Sequence, residues 1–168
     1  ANETITSDDY SVTAKSDRFL SDTTYAGANL YFEADEFAHL KRRNMFSAYY
    51  GKQWYSKPQF SLSTEPGLAY VSESRTELEQ QNYFAFSWNM DMHSTYFGPN
   101  TKSYLNQVGV WNMEDTSDIV INTRIGIKMP VRHKITVNTE LKLEYDSGAP
   151  AGVEELDQTF TIGFGYRW

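Results

Sequence analysis

The feature that most restricts this chain is an alternation of apolar and polar residues, held over segments of about ten residues or more and repeated from end to end. In DIVINTRIGIKM, Ile119, Ile121, Ile125, Ile127 and Met129 fall on one side of an extended chain, and Asn122, Arg124 and Lys128 on the other. KITVNTELKLEY repeats the scheme, with Ile135, Val137, Leu141, Leu143 and Tyr145 opposing Lys134, Asn138, Glu140, Lys142 and Glu144. DQTFTIGFGYRW sets Phe160, Ile162, Phe164, Tyr166 and Trp168 against Asp157, Thr159, Thr161, Gly163, Gly165 and Arg167. Strands with one apolar and one wet side belong to antiparallel sheets.

Read on that period, the chain divides into about nine strands, over residues 8–20, 24–36, 43–56, 59–73, 80–97, 101–114, 118–130, 133–147 and 155–168. Each reaches the ~9–11 residues that a tilted strand needs to cross a bilayer, whereas strands of soluble domains peak at ~5–6. The connections alternate between tight ones at 21–23, 57–58, 98–100 and 130–133 and longer or more charged ones at 35–43, 72–80, 114–118 and 147–154. Short turns on one side and longer loops on the other are the habit of outer-membrane barrels. The expected fold is therefore all-β, an antiparallel up-and-down transmembrane β-barrel forming a single domain over 1–168. Counting back from the last strand puts residues 1–7 on the long-loop side, whereas bacterial barrels keep both ends on the short-turn side. One or three N-terminal strands are then missing, giving about 10–12 in the complete protein, unless the count is off by one.

Composition narrows the classes further. Hydrophobic residues make up 40 % of the chain, so it is not disordered, yet no run approaches the ~20 apolar residues of a spanning helix. No basic-then-apolar leader is present, so an exported protein is represented here by its processed form or a piece of it. Without cysteine there are no disulfides or thiolate metal sites, and a net charge of −7 argues against nucleic acid.

Alternation alone does not say which side is inside. A lipocalin-like barrel turns its aliphatic residues inward, and a membrane barrel turns them out. Aromatic residues favour the membrane: Tyr25, Trp54, Tyr55, Tyr83, Tyr96, Phe97, Tyr104, Trp111, Tyr145, Tyr166 and Trp168 all stand near expected strand ends, where an interfacial girdle belongs. A ring of about ten strands also encloses more volume than side chains easily fill dry.

The stretch YDSGAPAGVEELDQTFTIGFGYRW, over 145–168, resembles the C-terminal end of a family described as salt-induced outer-membrane proteins, otherwise a domain of unknown function. EPGLAYV (65–71) and LNQVGVWNMEDTSDIVINTRIGIKMPV (105–131) are similar to the same family's pattern, and the resemblance runs from about Asp9 onward. It implies a Gram-negative outer-membrane β-barrel and carries over no catalytic or transport residues. The last strand also resembles the C-terminal signal read by the barrel-insertion machinery. The matching positions are Phe160, Ile162, Phe164, Tyr166 and Trp168, which are also expected to face lipid.

Chemistry-bearing residues are scattered. His39 lies among Asp35 and Glu36 on a long loop without a second histidine, and His133 sits in a tight turn. His93 shares a strand face with Asp91, the beginning of a hydrolase pair, but a nucleophile is not identified and a plain interior hydrogen bond is the favoured expectation. No phosphate loop, nucleophile elbow or zinc-protease motif is present, so the expectation is no enzyme, no cofactor and no metal. Arg124, Lys128, Lys134, Glu140, Lys142, Glu144, Asp157 and Arg167 are expected to line the lumen. Their mixed signs predict cross-strand pairs that fill it, with a selectivity ladder for an ionic solute as the alternative. Acidic loops around 114–118 and 154–155 are solubilising or bridge through divalent cations to lipopolysaccharide. The expected partners are outer-membrane lipid, lipopolysaccharide and the insertion machinery. Three functions follow in order: an envelope-structural or salt-linked barrel, a narrow channel, and an outer-membrane hydrolase.

Overall fold

The alternating segments form the strands they predict. The structure, a computed structural model, describes residues 9–35, 40–76, 80–98, 100–132, 134–149 and 154–166. It contains β1 (Asp9–Phe19), β2 (Thr24–Asp35), β3 (Leu40–Lys57), β4 (Phe60–Arg75), β5 (Gln81–Ser94), β6 (Lys102–Asn112), β7 (Ile119–Arg132), β8 (Ile135–Asp146) and β9 (Leu156–Tyr166). They lie in one sheet in chain order, and every neighbouring pair is antiparallel. β3 and β4, at 18 and 16 residues, outrun the expected 43–56 and 59–73. Their ladder continues toward the long-loop end through Arg43 opposite Glu73 to Leu40 opposite Arg75. His39, His133, Arg167, Trp168 and residues 1–7 lie outside the described residues.

The short turns close by local chemistry. In the first, Leu20 and Ser21 donate their amides to the Thr24 carbonyl at 2.9 and 3.1 Å, and the Ser21 hydroxyl accepts the Thr24 amide. Only Pro58 and Gln59 separate β3 from β4. The turn after β5 requires Gly98, whose φ of 135° is a conformation that side-chain-bearing residues rarely adopt. On the opposite side, the Asn112 side-chain carbonyl accepts the amides of Glu114 and Asp115 and organises the β6–β7 loop.

Register decides which residues share a face. Lys15 stands opposite Asn29, and the row continues through Ser47, Ala69 and Ala85 to Asn112. Side chains on the face this row belongs to reach across the sheet: Lys15 Nζ on β1 is 2.6 Å from Glu65 Oε1 on β4. Arg43 Nη2 on β3 is 3.9 Å from Asp146 Oδ2 on β8. In a flat sheet those two strands would be separated by ~24 Å, five intervals of ~4.8 Å, so the sheet curls around its polar face. The convex face keeps Leu30, Phe46, Leu68, Phe84, Phe86, Phe160 and Phe164 exposed. The concave face also holds an apolar cluster of Met45, Ala69, Val71, Tyr83 and Ala85, with Tyr31 and Val110 packed against it.

Three tyrosines depart from the expected girdle. Tyr25 and Tyr83 are only 5 % and 6 % exposed, and Tyr104 turns to a carboxylate on β8; all three stand in concave rows. Position near a strand end predicted the interface, but residue parity points these rings inward, where the Tyr25 and Tyr104 hydroxyls find carboxylates. β1 and β9 run in the same direction, so pairing them directly would be parallel. An antiparallel closure takes an odd number of further strands.

Candidate functional site

One device recurs on the concave face. A tyrosine lies over a glycine on the neighbouring strand, and its hydroxyl reaches a carboxylate on the strand beyond. Tyr25 stands opposite Gly51 and donates to Glu65 Oε1 at 2.6 Å. Tyr49 crosses Gly27 to Asp17, and Tyr104 crosses Gly126 to Glu140. At each glycine an added Cβ would clash with the tyrosine lying over it, so the crossing exists only because the middle residue has no side chain. On the convex face Trp88 lies over Gly109 in the same way and donates to Gln107 at 3.2 Å.

Two ionic hubs organise the β1–β5 side. Glu65 accepts from Lys15 at 2.6 and 2.7 Å, from Tyr25 and from Asn89 at 2.9 Å. An unpaired buried carboxylate costs several kcal/mol, and these donors offset that cost. Toward the long-loop end, Arg43 donates from Nε to Glu73 at 2.8 Å and from Nη1 to Glu33 at 3.3 Å, and lies beside Asp146. Between Glu65 and Glu73 on β4 come Gly67, Ala69 and Val71, so an apolar layer separates the hubs. This side of the interior is filled. Sequence reasoning missed both hubs. The available signal was that Glu33, Arg43 and Glu73 carry charges two or three residues from the long-loop ends of three successive strands.

The β7–β9 wall differs. Register places Arg124, Lys128, Glu140, Lys142, Glu144 and Asp157 on the concave face, while Lys134 stands in the turn before β8 with Nζ 6.0 Å above the Tyr166 ring. The expected pairing of opposite signs is not found across these strands. Arg124 faces Lys142, Lys102 faces Lys128, and Glu144 faces Asp157. Among the described residues one ion pair joins two side chains of this wall, Lys142 with Glu144 at 2.6 Å along β8, Asp146 reaches Arg43 on β3, and Glu140 takes the Tyr104 hydroxyl. Charge composition is the same whichever way strands slide; only register decides who faces whom.

Phe160, Ile162, Phe164 and Tyr166 all stand exposed on the convex face, Phe164 at 78 %. At the short-turn end Tyr55, Phe60 and Tyr96 stack in a chain, and Lys52 lies 4.2 Å over the Trp54 ring. In the β6–β7 loop, burial pushes the Asp118 carboxyl above its ordinary range, aided by Asp146 and Glu73, while the Ser117 hydroxyl and amide hold Asp115 below it. Asp91 accepts from Asn89 and Asn106. His93 meets the Tyr104 ring at 6.5 Å instead of the expected hydrogen bond, and among the described residues no hydrogen bond joins it to Asp91. No group of three metal-ligating side chains occurs among the described residues.

The family model for DUF481, described as a protein of unknown function, matches residues 1–168. The chain belongs to the DUF481 family. No curated protein sequence matches this DUF481 chain. Among solved structures it is similar to a "Bacterial polysaccharide outer membrane secretin", at TM-score 0.55 and 12 % identity over 96 % of this chain and 57 % of that one. It also matches the outer membrane phospholipase A of Escherichia coli, at TM-score 0.45 and 8 % identity over 96 % of this chain and 80 % of that one. This DUF481 chain thus shares its curled antiparallel sheet with an outer-membrane β-barrel protein while spanning little more than half of that protein's length.

Proposed function

We propose that this chain forms the wall of a lipid-embedded outer-membrane β-barrel with a largely filled interior and an envelope-structural role. The observation that carries this reading is the inversion of the sheet: Phe and Leu residues stand exposed on the convex face while Glu65 and Arg43 sit inside. In water that arrangement is unfavourable by ~25 cal/mol per Å² of exposed apolar area, and hydrocarbon removes the penalty. Lipid and lipopolysaccharide are then its surroundings, and the last strand is what the insertion machinery reads. The resemblance to salt-induced outer-membrane proteins supports a link to osmotic stress. The reading is non-enzymatic, in line with a His93 that touches an aromatic ring and not a carboxylate.

The decisive experiment refolds the protein from urea into detergent. It is expected to run with heat-modifiable mobility on gels and to stay silent in planar bilayers. A monomer that remains dispersed in plain buffer overturns the membrane reading. A narrow channel is the second reading, favoured by the cations of the β7–β9 wall, and steady single-channel steps would establish it in place of the filled barrel.

A further inference from the structure

We propose that Arg124, Lys142, Lys102 and Lys128 form an anion-binding ladder for an oligoanionic solute bearing phosphate or carboxylate groups. The proposal rests on the concave face being the barrel interior. Arg124 faces Lys142 across β7 and β8, and Lys102 faces Lys128 across β6 and β7. Directly opposed like charges destabilise a sheet, and here two such pairs stand on adjoining strands of one wall. Among the described residues Arg124, Lys102 and Lys128 make no ion pair, while Lys142 has Glu144 alone. The carboxylate lying between the two pairs, Glu140, is engaged by Tyr104 across Gly126. Among the described residues Glu140 makes no ion pair with either rung, and Glu144 meets Lys142 alone.

Elsewhere on the same face Lys15 is met by Glu65, and Arg43 by Glu73 and Glu33. Cations that pack among side chains are thus paired, whereas among the described residues Arg124, Lys102 and Lys128 stand exposed without a carboxylate partner on a wall of mixed charge. Arg124 and Lys128 lie four residues apart on β7, so the two rungs are ~13 Å apart. One phosphate or carboxylate fits each rung, with the guanidinium of Arg124 offering a two-pronged contact that a lysine does not. The occupant is accordingly an extended molecule with at least two anionic groups.

The test uses protein refolded in zwitterionic detergent, titrated by calorimetry with a linear polyphosphate of about six phosphates and, separately, an oligogalacturonate of about four residues, each long enough to span the ~13 Å between rungs. Binding of one or both is expected, and which one binds identifies the anionic group. Arg124→Gln with Lys142→Gln should weaken binding about tenfold or more, the loss of charge-assisted hydrogen bonds. Lys52→Gln with Lys57→Gln removes the same net charge from the short-turn end and should leave affinity unchanged. Equal weakening by both double variants would reduce the effect to overall charge and overturn the proposal, as would no binding of either anion. Heat-modifiable mobility of the same samples reports the barrel separately, so a folded protein without binding rejects the ladder and leaves the barrel reading intact. The Arg124→Gln protein, which keeps the Lys142–Glu144 pair, should also unfold at a higher temperature than the parent when no anion is present, since one charge of the opposed pair is gone. A lower midpoint would mean that the cations stabilise the sheet themselves and would also overturn the proposal.

Discussion

At the scale of single residues, glycine decides where a concave tyrosine can lie. Gly51 is the clearest case, because its missing Cβ leaves room for the Tyr25 ring, whose hydroxyl completes the Glu65 hub. Gly51→Val is expected to expel that ring and leave Glu65 with Lys15 and Asn89 only, at a cost of ~1–3 kcal/mol, read as a lower urea midpoint of the refolded protein. Gly27→Val should act likewise through Tyr49 and Asp17. Loop carboxylates give a pH signature. Asp118 is held above its ordinary range by burial, so between the unfolded value of ~3.9 and that raised value the folded chain binds more protons than the unfolded one. Its contribution therefore weakens the fold as pH rises through this window and is relieved as pH falls. Asp118→Asn keeps an oxygen to accept the Asn112 amide and should raise the urea midpoint at pH 7, with the advantage vanishing in acid.

At the scale of elements, β9 shows how much a two-residue period settles. Phe160, Ile162, Phe164 and Tyr166 are legible as one face from their spacing alone, and the register with β8 keeps them together on the convex side. Phe160→Arg should cost ~2–4 kcal/mol of folding into lipid vesicles if it sits near the bilayer midplane, while Thr161→Arg, one residue on and facing inward, should cost far less. Equal penalties at both positions would contradict the assignment of faces. Strand ends are less legible. β3 and β4 extend together at the long-loop end, where Arg43 and Glu73 stand opposite each other, and a long-range ion pair leaves no periodic trace in either segment. Aromatic residues near strand ends are ambiguous for a related reason: Trp54 and Tyr25 are both next to turns, yet parity sends one outward and the other into the Glu65 hub.

At the scale of the whole molecule, the curl of the sheet is tied together by contacts between strands far apart in its order. Arg43 is the longest such tie, joining β2, β3 and β4 to Asp146 on β8. Arg43→Met would leave Glu33 and Glu73 without this cation in a buried site and should cost ~3–5 kcal/mol, checked by the urea midpoint and by loss of heat-modifiable mobility. Adding Glu33→Gln and Glu73→Gln to Arg43→Met should recover most of that loss, because the two carboxylates nearest the lost cation are then uncharged and only the more exposed Asp146 keeps its charge. The nine strands, their antiparallel order and the identity of the two faces were determined by the sequence itself, since alternation and turn chemistry act between residues close along the chain. Which charge meets which was decided only in the tertiary structure. Arg124 opposes Lys142 and not a glutamate because of how far β7 slides along β8, and Glu65 meets Lys15 because two intervening strands bend enough to bring them together. Register and curvature are set by all the strands at once, through packing on the concave side, and no local segment encodes them.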